Sequence, residues 1–189
     1  MRQQTLLALS MCVLGMNSAL AEGFIEHKQH QHGQAQLNIA IEKNEIEVEF
    51  LSPAMNLLGF EYKPSSTEDK RQFVKTLTTL RKGEELFLLK SCQLKESDIH
   101  STLIETAHVD DHSSHKRDVS EHDHDSAHKD NHSDFSVHYH FHCPDGVPDR
   151  VQTDLFMEFS GLESVAVTVL GEKQIRSTLN RKKNVINLL

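Results

Sequence analysis

Histidine and acidic side chains are concentrated between residues 105 and 134. This tract of 30 residues has seven histidines and nine acidic residues. Neutral imidazole is the commonest protein ligand for zinc, and a histidine-rich tract is typical of metal-binding segments. The histidines of the tract are His108, His112, His115, His122, His124, His128 and His132. We predict that they bind several exchangeable Zn²⁺ ions with modest affinity, and that Cu²⁺ and Ni²⁺ also bind in vitro.

The tract has few apolar side chains, so it cannot bury enough surface to offset the entropy lost on ordering. We therefore expect residues 105–134 to be a flexible, disordered insert in the absence of metal. A pH sensor is the alternative interpretation, because imidazoles with an ordinary pKa of about 6.5 would gain charge together as the pH falls.

Other histidines precede or lie within predicted strands. His30 and His32 precede the first strand, whereas His138, His140 and His142 alternate with apolar residues in a later one. Alternation places the three later imidazoles on the polar face of their strand, with neighbours about 7 Å apart. Two of them are close enough to share an ion if another segment contributes ligands, and we predict that His30 and His32 do so. The alternative is that the three are only polar residues on a solvent face.

The first 21 residues are typical of a secretory signal peptide. Arg2 gives a positive start, residues 6–16 an apolar stretch, and residues 19–21 a small-residue cleavage site. The apolar stretch is about half the roughly 20 residues that span a bilayer, and no later segment approaches that length. We expect an exported chain that begins at Glu22 and does not insert into a membrane after cleavage.

Cys92 and Cys143 are the cysteines that remain once this signal is removed. In an oxidising compartment such a pair usually forms a disulfide. The bridge would close the base of the histidine-rich tract and fix its ends. Ligation of zinc by the two thiolates is the rival interpretation.

The charge of the chain favours cations as partners. It has 20 Lys and Arg against 28 Asp and Glu, a formal net charge of −8, which becomes −9 when Arg2 leaves with the signal. This balance argues against nucleic acid or an anionic membrane as a partner.

Hydrophobic periodicity predicts the elements that position these residues. Strands are expected over residues 35–41, 46–50, 92–103, 135–141, 164–170, 174–179 and 185–188. Ser65 and Ser66 precede Glu68 and Asp69 at capping-box spacing and begin one helix, whose stripe includes Phe73, Leu77 and Leu80. Asp149 begins a second helix, whose apolar stripe is Val151, Leu155, Phe159 and Leu162. We predict one α+β domain over residues 22–189, with a mainly antiparallel sheet covered on one face by two main helices.

The first two strands are expected to form a hairpin that turns at Lys43 and Asn44, with asparagine tolerating a positive φ. Glu45, Glu47 and Glu49 alternate with apolar residues after the turn. We expect these glutamates to form a solvated strand face.

Catalytic motifs are absent from the sequence. It has no H-E-x-x-H, no G-x-S-x-G and no glycine-rich phosphate loop. A zinc hydrolase needs a rigid site of three protein ligands with an open position, and no spacing here predicts one. We therefore do not expect an enzyme.

Three segments resemble the ZrgA-type family of zinc-regulated periplasmic proteins: HQHGQAQLNIAIE, EFLSPAMNLLGFEYKP and HSDFSVHYHFHCP. The resemblance covers nearly all of the chain after the signal. It implies zinc binding in the periplasm and assistance to zinc acquisition when the metal is scarce. The family's histidine pair falls on His30 and His32, and its H-x-D-x-x-x-H-Y pattern falls on His132, Asp134, His138 and Tyr139.

Two functions are consistent with these features. The first is an accessory protein that captures Zn²⁺ and passes it to a zinc importer. The second is a passive buffer or detoxifying sink for zinc, copper or nickel. The solute-binding subunit of a zinc transporter is a third class, but such proteins have two lobes and are nearly twice as long.

Overall fold

A computed structural model describes residues 31–105 and 133–189. Its strands are β1 Gln34–Glu42, β2 Glu45–Pro53, β3 Gln93–Ser101, β4 Asp134–His142, β5 Arg150–Gln152, β6 Ser164–Leu170, β7 Gln174–Leu179 and β8 Val185–Asn187. Its helices are α1 Ala54–Leu58, α2 Thr67–Leu80, α3 Gly83–Leu86, α4 Thr102–Glu105 and α5 Leu155–Glu158. The predicted α+β class is confirmed. Nowhere in the two described ranges is there a helix with the length and apolarity needed to cross a bilayer.

Six strands form the main sheet, in the order β3-β4-β2-β1-β6-β7. All neighbours are antiparallel except β1 and β6. The predicted hairpin is confirmed, with Ile39 opposite Val48. The turn of this hairpin has a positive φ of 55° at Lys43, whereas we expected the positive φ at Asn44.

The apolar face of this sheet packs against α2. The helix begins at a capping box, in which Ser66 Oγ accepts from Asp69 N at 3.0 Å and Ser66 N donates to the Asp69 carboxylate at 3.2 Å. Phe73 packs against Phe135 with ring centroids 6.3 Å apart. At the end of the helix, the Tyr139 hydroxyl donates to Leu80 O at 2.6 Å. Helix α2 therefore covers β4 from the side opposite its histidines.

The second predicted helix is wrong in its extent. Its first residues form β5, which pairs with β8, and only the single turn α5 is helical. Leu86 O accepts from Asp154 N and from Thr153 Oγ1, both at 2.9 Å. The apolar stripe predicted for this helix, Val151, Leu155, Phe159 and Leu162, is buried as a helix would bury it. The backbone before Leu155, however, bonds to neighbouring segments.

Strands β3 and β4 pair from Ser101 and Phe135 at one end to Gln93 and His142 at the other. The disulfide between Cys92 and Cys143 lies directly beyond the second end. Ser133, which directly follows residues 106–132 in the sequence, lies at the first end, and a strand of nine residues spans about 27 Å. The predicted disulfide is confirmed, but its expected place at the base of the tract is wrong. Backbone pairing of β3 with β4 separates the two.

Candidate metal site

Three of the predicted metal ligands lie in the described residues: His32, His138 and His140. The others lie outside them, and they are His30, His108, His112, His115, His122, His124, His128 and His132. The signal peptide over residues 1–21 also lies outside. The described part of the candidate site therefore consists of two places on the main sheet, the start of β1 and the outer face of β4.

The start of β1 is fixed by a turn at Gly33, directly after His32. Gly33 has φ +83°, and its N–H donates to Asn56 Oδ1 at 2.7 Å. Its carbonyl oxygen accepts from Glu163 N at 2.8 Å and from Ser164 N at 3.0 Å. The backbone that carries His32 is thus held from two sides.

The imidazole of His32 is paired with a carboxylate. His32 Nε2 lies 3.1 Å from Glu61 Oε1. The side chain of His32 is 52% exposed, whereas that of Glu61 is only 14% exposed. Nδ1 is the ring nitrogen that this pairing does not use, and it belongs to a half-exposed ring.

This end of the sheet is also where the chain returns from the tract. Ala54 N, the first residue of α1, donates to Ser133 O at 2.7 Å. Pro53 at the end of β2 is paired with Asp134 at the start of β4. His32 and the downstream root of the tract therefore lie at the same end of the sheet.

The outer face of β4 bears the second group of histidines. His138, His140 and His142 lie on the side opposite the buried residues of their strand, as predicted. Glu45 joins two of them, because its carboxylate lies 2.7 Å from His142 Nδ1 and 2.8 Å from His140 Nε2.

The glutamates of β2 are paired with these histidines because the two strands are in register. Glu45 is opposite His142, and Glu47 is opposite His140. His140 Nε2 is 3.7 Å from Glu47 Oε1. The glutamates that we expected to form a solvated face therefore share that face with the histidines of β4. Together they form an imidazole–carboxylate surface.

The predicted help from His32 to this strand is not what the fold provides, and His30 lies outside the described residues. The neighbours of β4 are β2 and β3, and β1 lies beyond β2. His32 precedes β1, at the end of the sheet where β4 begins. The partners of the β4 histidines are instead the carboxylates of β2.

His100 is a histidine of this surface that the sequence analysis did not single out. On the edge strand β3, its Nε2 lies 2.8 Å from Asp98 Oδ2. Its ring centroid is 6.5 Å from that of His138. The alternation of Asp98, Ile99 and His100 along a predicted strand was the signal that could have placed it here.

Electrostatics favour an ionised Glu45. Hydrogen bonds to the imidazole of His142 and then to that of His140 lower the pKa of the Glu45 carboxyl below its ordinary value. The carboxylate is therefore an anionic acceptor between two imidazoles at neutral pH. Imidazole nitrogen and carboxylate oxygen are both zinc ligands.

Comparison with known proteins decides the family. A family model described as ZrgA family zinc uptake protein matches residues 29–188. The chain belongs to the ZrgA family. The matched range includes both histidine groups, the tract and both cysteines of the disulfide. No curated protein matches the chain.

Membership of the ZrgA family implies a role in zinc uptake. In the part of this ZrgA chain that the structure describes, no three His, Cys, Asp or Glu side chains are already arranged to hold a metal ion. The ring nitrogens of His140 and His142 are directed at a carboxylate instead. Zinc ligation by thiolates is excluded for Cys92 and Cys143, because both sulfurs are in the disulfide.

Proposed function

We propose that this ZrgA-family protein captures Zn²⁺ in the periplasm through the histidine-rich tract of residues 105–134 and assists zinc acquisition under scarcity. A zinc importer would receive the metal. The match of residues 29–188 to a family of zinc uptake proteins is the observation that carries this proposal.

The periplasmic location has two supports. The first 21 residues have the pattern of a secretory signal. Cys92 and Cys143 form a disulfide, and such bonds persist in oxidising compartments. Both features are those of an exported protein.

We further propose that the folded domain contributes ligands of its own. His30 and His32 would bind zinc at the start of β1, and His138 and His140 on the outer face of β4. The contact of His140 with the Glu45 carboxylate supports the second place, since it joins the two ligand types that zinc accepts. Metal at this surface requires the side chains to turn from one another toward the ion.

Calorimetry on the untagged chain without its signal tests capture by the tract. Several zinc equivalents are expected for the intact chain. Deletion of residues 110–130 is expected to remove the weaker equivalents and to leave the tightest. A matched variant keeps the length of the tract but replaces its seven histidines with glutamine, which separates loss of ligands from loss of chain. Undiminished zinc binding by both variants would contradict capture through the tract.

Growth experiments test acquisition. Cells that lack the protein are expected to grow poorly under zinc chelation and normally in excess zinc. The intact chain should restore growth under chelation, whereas the glutamine variant should not. Equal growth with and without the protein under chelation would contradict the proposed role.

A metal buffer or detoxifying sink for zinc, copper or nickel is the second candidate. The hydrogen bonds of His140 and His142 to Glu45 favour it, because metal must displace them before it binds these imidazoles and would therefore be held weakly. Imidazole sites follow the Irving–Williams order, so Cu²⁺ should bind more tightly than Zn²⁺ in vitro under either function. A sink is distinguished by failure of the deletion strain in excess metal.

A further inference from the structure

The segment that follows β2 contacts both the imidazole of His32 and the backbone of the two residues after it. We propose that Asn56 and Glu61 are positioning residues that hold His32 so that it binds Zn²⁺ through Nδ1. This inference rests on the proposed function, because it takes zinc as the cargo and His32 as one of its ligands.

Asn56 fixes the backbone next to His32. Its side-chain oxygen accepts from Gly33 N at 2.7 Å, and its amide nitrogen donates to Gln34 O at 2.8 Å and to Ser52 Oγ at 3.2 Å. The residue is only 3% exposed. The N–H of Gly33 needs an acceptor and the carbonyl of Gln34 needs a donor, and the amide side chain supplies both. An ionised aspartate has no donor for Gln34 O, so asparagine is the residue that fits.

Asn56 is itself held in place by close packing. A Cβ on Gly161 would lie 2.5 Å from Asn56 O, so the absence of a side chain at Gly161 lets α1 approach this closely. A Cβ on Gly33 would likewise lie 2.9 Å from the side chain of Glu163. Gly161 and Gly33 thus allow α1 and the turn after His32 to pack closely against residues 161–163.

Glu61 fixes the imidazole itself. Its carboxylate oxygen accepts, so the His32 nitrogen 3.1 Å away carries the proton as Nε2–H. The lone pair of the neutral ring is then on Nδ1. A carboxylate that accepts from the far nitrogen of a ligand histidine fixes its tautomer and raises its basicity, which is the usual arrangement around protein-bound zinc.

The same segment connects this histidine to the tract. Ala54 N donates to Ser133 O at 2.7 Å, so α1 is bonded to the root of the tract at one residue and to the turn after His32 at another. Ligation through Nδ1 would therefore occur at the end of the sheet where the tract rejoins the fold. The disulfide at the opposite end has no part in it.

Zinc affinity in the full chain without its signal tests the inference by competition with a chromophoric chelator. Asn56→Ala and Glu61→Ala are each expected to weaken the tightest site about 10-fold, as is typical for partners that orient a metal ligand. Glu61→Gln keeps an acceptor oxygen and should recover most of that loss.

Thr76→Ala is the matched structural control. Thr76 is 2% exposed and donates to Leu57 O in α1 at 3.3 Å, but it lies on α2 and has no hydrogen bond to the His32 turn. It should lower the melting temperature without weakening zinc binding. Equal losses of affinity in Thr76→Ala and Asn56→Ala would overturn the inference, because a general loosening of α1 would then explain both.

A double-mutant cycle with His32→Ala separates action through His32 from any other effect. Once His32 is absent, Asn56→Ala and Glu61→Ala should cause no further loss of affinity. A loss that persists undiminished in the His32→Ala background overturns the proposal.

Nitrogen-15 NMR of the histidine rings in the wild-type chain decides the matter even if a variant does not fold. The His32 ring should show the Nε2–H tautomer without metal, and added Zn²⁺ should shift its Nδ1 resonance. Ligation at Nε2, or a His32 ring that zinc leaves unchanged while binding elsewhere, overturns the inference alone. A wild-type chain that binds no zinc at all defeats the proposed function instead.

Discussion

Glu45 and His142 lie directly opposite each other in the β2–β4 ladder, with the carboxylate 2.7 Å from Nδ1 of the ring. The second oxygen of the same carboxylate is 2.8 Å from His140 Nε2. One acidic residue thus organises two imidazoles that the strand alone would leave apart. The outer face of the sheet acquires its imidazole–carboxylate character from this register.

Glu45→Gln is expected to lower the melting temperature in a pH-dependent manner. Hydrogen bonds, chiefly that to His142 and then that to His140, lower the pKa of Glu45 in the folded protein below its ordinary value of 4.5. Such a carboxylate stabilises the fold above pH 4.5, and this contribution is lost as the pH falls through the lowered folded pKa. Thermal melts of both proteins from neutral to acidic pH measure it.

Glu47→Gln is the control for that experiment. Glu47 is 3.7 Å from His140 Nε2, beyond hydrogen-bond distance, and lies on the same face. Its replacement should change the melting temperature less. A constant difference between wild type and Glu45→Gln at every pH would contradict the role assigned to the carboxylate.

Bound zinc should be released as the pH falls from about 7 to about 5, because ligand imidazoles must be neutral and protons compete with the metal for them. Equilibrium dialysis at a series of pH values measures the stoichiometry. The variant with seven glutamines in the tract should lose fewer equivalents over this range, since it has fewer imidazoles to protonate. Full stoichiometry retained at the acidic end would mean that carboxylates carry the binding.

Tyr139→Phe is expected to destabilise the fold by about 1 kcal/mol, since it leaves the Leu80 carbonyl without the hydroxyl that now donates to it. Burial raises the pKa of Tyr139, so the hydroxyl remains a donor even in mildly alkaline solution. Chemical denaturation at neutral pH measures the loss. Tyr62→Phe is the control, because Tyr62 is 58% exposed, and an equal effect of both replacements would contradict this account.

Periodicity predicted most strands because their side chains alternate between a buried and an open face. Strands β6 and β7 have the predicted limits, residues 164–170 and 174–179. The same reasoning failed after Asp149, where a helical stripe of apolar residues is also what a short strand and one helical turn bury. The local sequence does not distinguish a long helix from a short strand followed by one helical turn. The difference depends on the hydrogen bonds from Asp154 N and Thr153 Oγ1 to Leu86 O, which join segments distant in sequence.

The candidate site shows the same division between local and distant information. The side of β4 that bears His138 and His140 follows from alternation alone. Their partners depend on strand order, and an order that places β2 beside β4 cannot be obtained from the period of either strand. The roles of Asn56 and Glu61 likewise depend on contacts with His32 and Gly33 more than 20 residues away.

Replacement of both Cys92 and Cys143 by serine is expected to destabilise the fold strongly and to leave zinc binding by the folded protein unchanged. The chain-entropy model gives about 4 kcal/mol for a loop closed over a sequence separation of 51. The tract meets the sheet at the other end of β3 and β4, where Ser101 remains paired with Phe135.

Chemical denaturation measures the stability of this double variant, and calorimetry well below its melting temperature measures its zinc stoichiometry. A bridge at the base of the tract would free the ends of the tract when removed, and zinc affinity would then fall together with stability. A bridge one strand length away should lower stability alone. Loss of zinc equivalents from a fully folded double variant would therefore contradict the separation of the disulfide from the site of capture.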